Sequence, residues 1–440
     1  MSGPKVVRIV TREEIIELCR GHLARVDAAL EEWIRVGRRN ECLDEDAIAA
    51  ATRRRDALAA LIAADRFQNL QKQAPDEIAY LQQNMQTRLA EVVARQALAR
   101  TREKREKQAS ETLLNRLHSA GITLDPALEL QLKRCEPGAV GKAFSLLADA
   151  QSQATASNAL AVQLGEGERK RTFSDWLAGQ EPIQDEDPAI EKLQARIDEL
   201  CVLLDPSDIA VWRSRLLEAG SAPVARRNLV LDGLDIETGR VLSQARTWTK
   251  LVAEYRMVCA ELAEAGVENS EVPYLEFTAG RQDDLQESID RSRSLLEQHR
   301  AKRAADARRA AVLEGLAGLG YEVSQGMSTS LAEEGRLVVR SMARPDYGVE
   351  VAVAAERMQM RPVAFESAGQ GPPTSRDRDA ETIWCGDVSV LQAKLAALGG
   401  QLAIEKSLPI GATPLKRVAI AGQDSVAAAE VPVLKGRTLR

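Results

Sequence analysis

Apolar residues recur along most of this chain at helical spacing. Ile15, Cys19, Leu23, Val26, Leu30 and Trp33 follow one another at intervals of three and four, a single stripe between charged faces. The stripe opens on Thr11-Arg12-Glu13-Glu14, which reads as a capping box with Glu14 reaching back to the cap. The six residues before it, KVVRIV at 5–10, read as a short strand.

A second helix is expected over about 44–72, with Leu58, Leu61 and Ile62 inward, and a third after Pro75, which suits a first-turn position. Short connections make these neighbours antiparallel. The third helix carries Ile78, Leu81, Met85, Leu89 and Val92. It turns wholly charged at 100–107 (RTREKREK), which cannot be core, and regains apolar spacing at Leu113, Leu114 and Leu117. Shorter helices are expected around 127–135 and 139–164. Residues 165–171 are polar, and 179–188 (GQEPIQDEDP) hold two prolines among acids, the composition of a linker.

Beyond the linker, Ile190, Leu193, Ile197, Leu200 and Leu204 form a seam, and a helix starting at Pro206-Ser207 carries Ile209, Trp212, Leu216 and Leu217. The clearest periodicity follows. Val241, Ala245, Trp248, Val252, Tyr255, Cys259 and Leu262 alternate spacings of four and three, an a/d heptad pattern. Its aromatics are bulky for a two-stranded coiled coil, so packing within the chain and dimerisation both stay open. A further helix spans about 282–320, with a basic interval at 299–309.

At Gly320 the period changes to short β-branched or alternating runs at 321–324, 337–341, 347–353 and 358–365, separated by turn residues. A loop at 369–373, a helix over about 379–398, the stop Gly399-Gly400 and a strand at 401–404 complete an α+β unit. Residues 409–440 lack sustained periodicity and read as a tail.

The expected fold is therefore mainly α: antiparallel helical hairpins or coiled coil and a helical bundle, then a small C-terminal α+β domain. The division is an arm at 1–120, short helices and linker at 121–188, a helical bundle at 189–302, the α+β domain at 303–406 and a tail at 407–440.

Composition agrees with helix. Aromatics are 3%, hydrophobic residues 45%, and Ala, Leu, Glu, Lys and Arg approach half the chain. The net charge of -6 gives no global pull toward nucleic acid or anionic membrane, so a polyanion site would be local. The first ten residues lack the pattern of a secretory signal, and no stretch nears the ~20 apolar residues of a membrane span. A cytoplasmic protein without membrane attachment is expected. High Ala and Arg usage is compatible with a bacterial source. Six scattered cysteines without a CxxC pair read as reduced and buried.

Motifs for chemistry are sparse. His22, His118 and His299 lie far apart without metal-binding spacing. Gly138-Ala139-Val140-Gly141-Lys142 is too short for a phosphate loop, has Ala143 where a hydroxyl is needed, and reads as a helix N-terminus. No GxSxG occurs, residues 326–330 read as loop, and Cys385 beside Trp384 reads as core. The element order of the C-terminal unit loosely resembles that of PD-(D/E)xK nucleases, with Pro345-Asp346 before Glu350. Ala352 stands in the lysine position, and Asp346 is too close to Glu350 to lie on the preceding strand. No catalytic residue, metal or cofactor is assigned.

Two residue sets remain. Trp33, Val241, Trp248, Val252, Tyr255 and Leu262 are candidate helix-interface residues. Arg53, Arg54, Arg55, Arg100, Arg102, Lys104 and Arg105 are candidate polyanion contacts on helix faces. The leading expectation is a non-enzymatic scaffold or adaptor with protein partners, homo-oligomerisation being open. A nucleic-acid-associated coiled-coil protein ranks next, then an unfamiliar or degenerate enzyme in the C-terminal unit.

Overall fold

The computed structural model describes residues 4–136, 138–156, 188–268, 273, 275–324, 326–354, 357–365 and 375–419. It is mostly helical, with a small, largely antiparallel sheet.

Strand β1 (Lys5–Val10) leads directly into α1 (Arg12–Arg39), whose N-cap Thr11 accepts from the Glu14 N–H at 3.3 Å. The Glu14 carboxylate does not complete a capping box; it binds Arg308 instead. Helix α2 (Glu45–Ala63) is capped by Asp44 and ends in a turn where Asp65 takes φ +54°. Helix α3 (Phe67–Ser119) then runs unbroken for 53 residues, about 80 Å at 1.5 Å per residue.

The break expected at Pro75 lies instead at Asp65, and Pro75 sits inside α3. An interior proline costs about 3 kcal/mol because it displaces the preceding turn's carbonyl. Pro75 is on the solvent side, so water can take up that carbonyl, while Leu70, Ala74 and Ile78 pack inward with Cys19 and Val26.

Helices α4 (Pro126–Lys133) and α5 (Ala139–Ala156) fold back on the far end of α3. Leu113, Leu114 and Leu117 meet Leu132, Ala143 and Leu147 there in a core of their own. After residue 187 come α6 (Pro188–Leu203), α7 (Pro206–Ser221), α8 (Val224–Glu264) and α9 (Gln282–Ala317). The first half of α8 packs with α6 and α7 through Leu234, Val241 and Leu242; its second half packs with α1 and α9.

The sheet consists of β1, β2 (Arg336–Arg340), β3 (Tyr347–Ala354), β4 (Arg357–Phe365) and β5 (Gln401–Ser407), in the order β2-β3-β4-β1-β5. A short β6 (Lys416–Val418) runs parallel to the end of β4. Thus the first strand in sequence fills the gap between β4 and β5, with Val7 and Ile9 in the core and Arg8 outside. Helices α9, α10 (Met327–Glu334) and α11 (Ser375–Ala397) cover one face, where Trp384, Val388 and Leu391 meet Val339, Val349, Val351 and Met360.

Several local expectations change. Residues 327–330, expected as loop, begin α10, with Gly326 supplying the left-handed turn that starts it. Tyr321 makes only an isolated bridge to Ser341 rather than a strand. Part of the expected tail forms β6 because β4 offers it an open backbone edge beyond β1. None of the six cysteines forms a disulfide, but only Cys19 is buried. The other five are half-buried, Cys42 and Cys135 because they lie in connections between helices. The linker at 165–171, most of 179–188, the loop at 369–373 and residues 420–440 lie outside the described residues.

Gly348 shows how close the strands are. A Cβ there would stand 2.3 Å from the Val339 carbonyl oxygen, a backbone atom that cannot rotate away. Gly348→Ala is expected to cost about 1–3 kcal/mol as overpacking, read as a lower thermal unfolding midpoint with the helical signal of the native state unchanged.

Candidate functional site

Glu350 is the most unusual polar group in the sheet. Alternation along β3 puts Val349 and Val351 toward the helices, so Glu350 faces the other side, where it is nevertheless only 2% exposed. Cations bury it. Arg361 lies directly opposite on β4 and binds one carboxylate oxygen; Lys416 of β6 binds the other at 2.7 Å, and Arg336 of β2 stands 3.6 Å from the same oxygen. Burial alone would raise the carboxyl pKa, but the hydrogen bonds and charges of Arg361 and Lys416 outweigh it, and Glu350 is held below the ordinary carboxylate value.

This arrangement bears on metal chemistry. Both Glu350 oxygens are engaged by cations, Asp346 sits in the exposed turn before β3, and Ala352 offers no amine. Among the described residues no group of three or more His, Cys, Asp or Glu side chains is placed to hold a metal ion. Near the start of α11, Asp377 accepts from the Tyr347 hydroxyl at 2.9 Å and from Arg417 at 3.1 Å, tying that helix to the sheet. At the other end of the sheet, the buried Lys5 Nζ donates to the Cys385 thiol at 3.4 Å.

A second charged system joins α1, α8 and α9. Arg25 binds Glu254 at 3.1 Å, and Arg300 binds Glu261 at 2.8 Å. Glu254 also takes Arg293 at 2.7 Å. Gly21 makes room for this, since a Cβ there would lie 2.2 Å from the Arg300 guanidinium. His22 is half-buried beside the network. Burial lowers its pKa, opposed by Glu261 and assisted by Arg25 and Arg300.

The sign of the pH dependence follows. A histidine whose folded pKa is depressed contributes its full share of stability above the unfolded value near 6.5, and loses it as pH falls through the folded value. Wild-type thermal stability is expected to drop below pH 6.5 more than that of His22→Gln, as read from unfolding midpoints across pH 5–8.

The residues anticipated from sequence are placed as follows. Trp33, Val241, Trp248, Val252, Tyr255 and Leu262 are all buried. Trp33 packs with Met85 of α3 and Met257 of α8, and donates from Nε1 to Asn84 at 3.1 Å. Trp248, Val252 and Tyr255 meet Leu285 and Ile289 of α9; Leu262 meets Leu296, and Val241 joins the core with α6 and α7. The heptad seam is therefore covered by helices of the same chain.

The basic helix positions divide. Arg54 pairs with Glu77 at 2.9 Å and lies over the Tyr80 ring, Arg55 pairs with Asp27, and Arg100 pairs with the buried Asp198 of α6. These three charges are structural. Arg53, Lys104 and Arg105 are exposed, and Arg102 pairs with Glu106 at 2.8 Å. The cation set around Glu350 was missed in the sequence because it depends on strand register and on β6, although the Val-Glu-Val alternation already marked Glu350 as facing away from its neighbours.

Comparison with protein-family models, with curated proteins and with solved structures finds no match to this chain. Among the described residues no helix is long and apolar enough to cross a membrane.

Proposed function

We propose that this chain is a non-enzymatic scaffold or adaptor of a cytoplasmic multi-protein assembly. Helices α1 and α6–α9 act as a helical-bundle hub, and α3 as a spacer holding a small helical tip. One observation carries this reading. At residues 101–108 α3 is exposed on all sides, after which it enters a separate core with α4 and α5. A helix polar all round bridges solvent between two packed units.

Leu130 of α4 and Leu146 of α5 remain substantially exposed on the tip. Leu229 and Ile236 of α8, seven residues apart and so on one helix face, are about three-quarters exposed. These apolar positions suit protein partners. Because the α8 seam packs within the chain, partner binding accounts for the exposed surface better than self-association through that seam does.

Deleting residues 101–107 tests the spacer. Seven residues keep the helix phase to within about 20° and shorten the arm by about 10 Å. Helical content and unfolding midpoint are expected to stay close to wild type, while complexes isolated from the native cells lose or rearrange a component. Complexes that survive the shortened arm unchanged would remove the spacer role.

A further inference from the structure

Lys5 carries an amine into the core. The alternation of β1 points it the same way as Val7 and Ile9, toward the helices, and it is only 3% exposed. A lysine over apolar surface ordinarily keeps its head in water, and a buried ammonium is costly unless an acid pairs with it. The buried acids of α11 are engaged elsewhere: Glu381 accepts from the Gly411 N–H at 2.6 Å, and Asp377 takes Tyr347 and Arg417. Lys5 meets sulfur instead. Among the described residues the hydrogen-bond partner of its Nζ is the Cys385 thiol of α11, at 3.4 Å.

An apolar side chain at position 5 would complete the inner face of β1 at lower cost, so packing does not account for the amine. Its neighbour does. The separation of 3.4 Å falls within the roughly 3–3.5 Å of a near-attack contact. Both backbones are held, since β1 lies between β4 and β5, and Trp384 and Val388 fix that turn of α11 in the core. Cys385 is half-buried and in no disulfide, so its sulfur is open to a small oxidant.

We propose that Lys5 and Cys385 are a redox modification site, at which hydrogen peroxide makes a sulfenamide cross-link between Nζ and Sγ. In the first step the thiol loses two electrons to the peroxide, giving a sulfenic acid and one water. In the second, the neutral amine attacks the sulfur: the S–N bond forms, the S–O bond breaks, and the hydroxide leaves with one amine proton as a second water. Two thiols reverse the link, returning the Cys385 thiol and the amine and leaving as a disulfide. The bond joins residues 380 positions apart and fastens the strand that precedes α1 to the helix layer over the sheet. This inference stands independently of the scaffold reading.

The test treats the folded full chain with hydrogen peroxide, blocks remaining thiols by alkylation, and cleaves after glutamates without reductant. Such cleavage separates Lys5 from Cys19 and leaves Cys385 as the one cysteine of peptide 382–405. Mass spectrometry is expected to find that peptide joined to the N-terminal one, two hydrogens lighter than their sum, with fragment ions placing the link at Lys5. Dithiothreitol is expected to abolish it. The unfolding midpoint of the oxidised protein is expected to rise by roughly 5 °C, and to return on reduction. Lys5→Met is expected to leave Cys385 as a sulfenic acid that dimedone traps, and Cys385→Ser to show neither link nor shift.

The wild-type result decides without any variant. Cys385 recovered as an unreacted thiol, as a sulfinic acid or in a disulfide, without linkage to Lys5, would overturn the proposal. So would an equal rise in midpoint in peroxide-treated Cys385→Ser.

Discussion

Glu350→Ala is expected to lower the unfolding free energy by about 3–5 kcal/mol, because it takes from Arg361, Lys416 and Arg336 the one carboxylate they share and leaves them crowded around a void. Urea denaturation followed by tryptophan fluorescence reads the change as a lower midpoint with an unchanged slope. Arg336→Ala removes the most distant of the three cations and leaves the carboxylate two partners, so it is expected to cost far less. The pH profile separates the charge effect from simple loss of packing. With its folded pKa depressed, Glu350 contributes its full share above the ordinary 4.5 and loses it as pH falls through the lowered value. Wild type therefore loses more stability than Glu350→Ala below about pH 4.5.

Trp248→Ala carries the second large effect, about 3–5 kcal/mol for emptying a buried indole site. The ring packs with Val252, Leu285 and Ile289, meets Phe277 edge-on at 6.2 Å, and donates from Nε1 to the Leu275 carbonyl at 3.3 Å. Because those partners belong to the same chain, the loss is expected to be independent of protein concentration, and light scattering is expected to give wild type and variant the same mass. A dimer built on this seam would instead show a concentration-dependent unfolding midpoint and a lower mass in the variant.

Helices were the most legible part of the sequence, since burial writes a 3.6-residue period into the chain. The stripe from Ile15 to Trp33 and the seam from Val241 to Leu262 both lie on helices that bury most of their residues, Ile15, Leu23 and Cys259 being half-buried. Three strands after residue 335 were also visible in their alternation. Boundaries failed where tertiary packing overrode local signals. Pro75 was tolerated because it faces water, and Asp65 broke the chain where its neighbours suggested helix.

Long-range pairing was the illegible part. Nothing in KVVRIV says that it will lie between strands more than 300 residues later, and nothing in Glu14 says that Arg308 will claim its carboxylate. The same reason hid the cations around Glu350. Arg336, Arg361 and Lys416 are ordinary residues in sequence and become a cluster only through the β2-β3-β4 register and the parallel pairing of β6. The basic helix runs were conspicuous in sequence, yet Arg54, Arg55 and Arg100 are used to hold helices together.

The scaffold reading is tested most directly by cross-linking mass spectrometry on the tagged, full-length protein isolated from its native cells, with light scattering on the same fraction. An adaptor yields a defined complex in which one partner cross-links to the tip, at Lys133 or Lys142, and a different partner to the hub or the sheet. A lone monomer with only intrachain cross-links would contradict it.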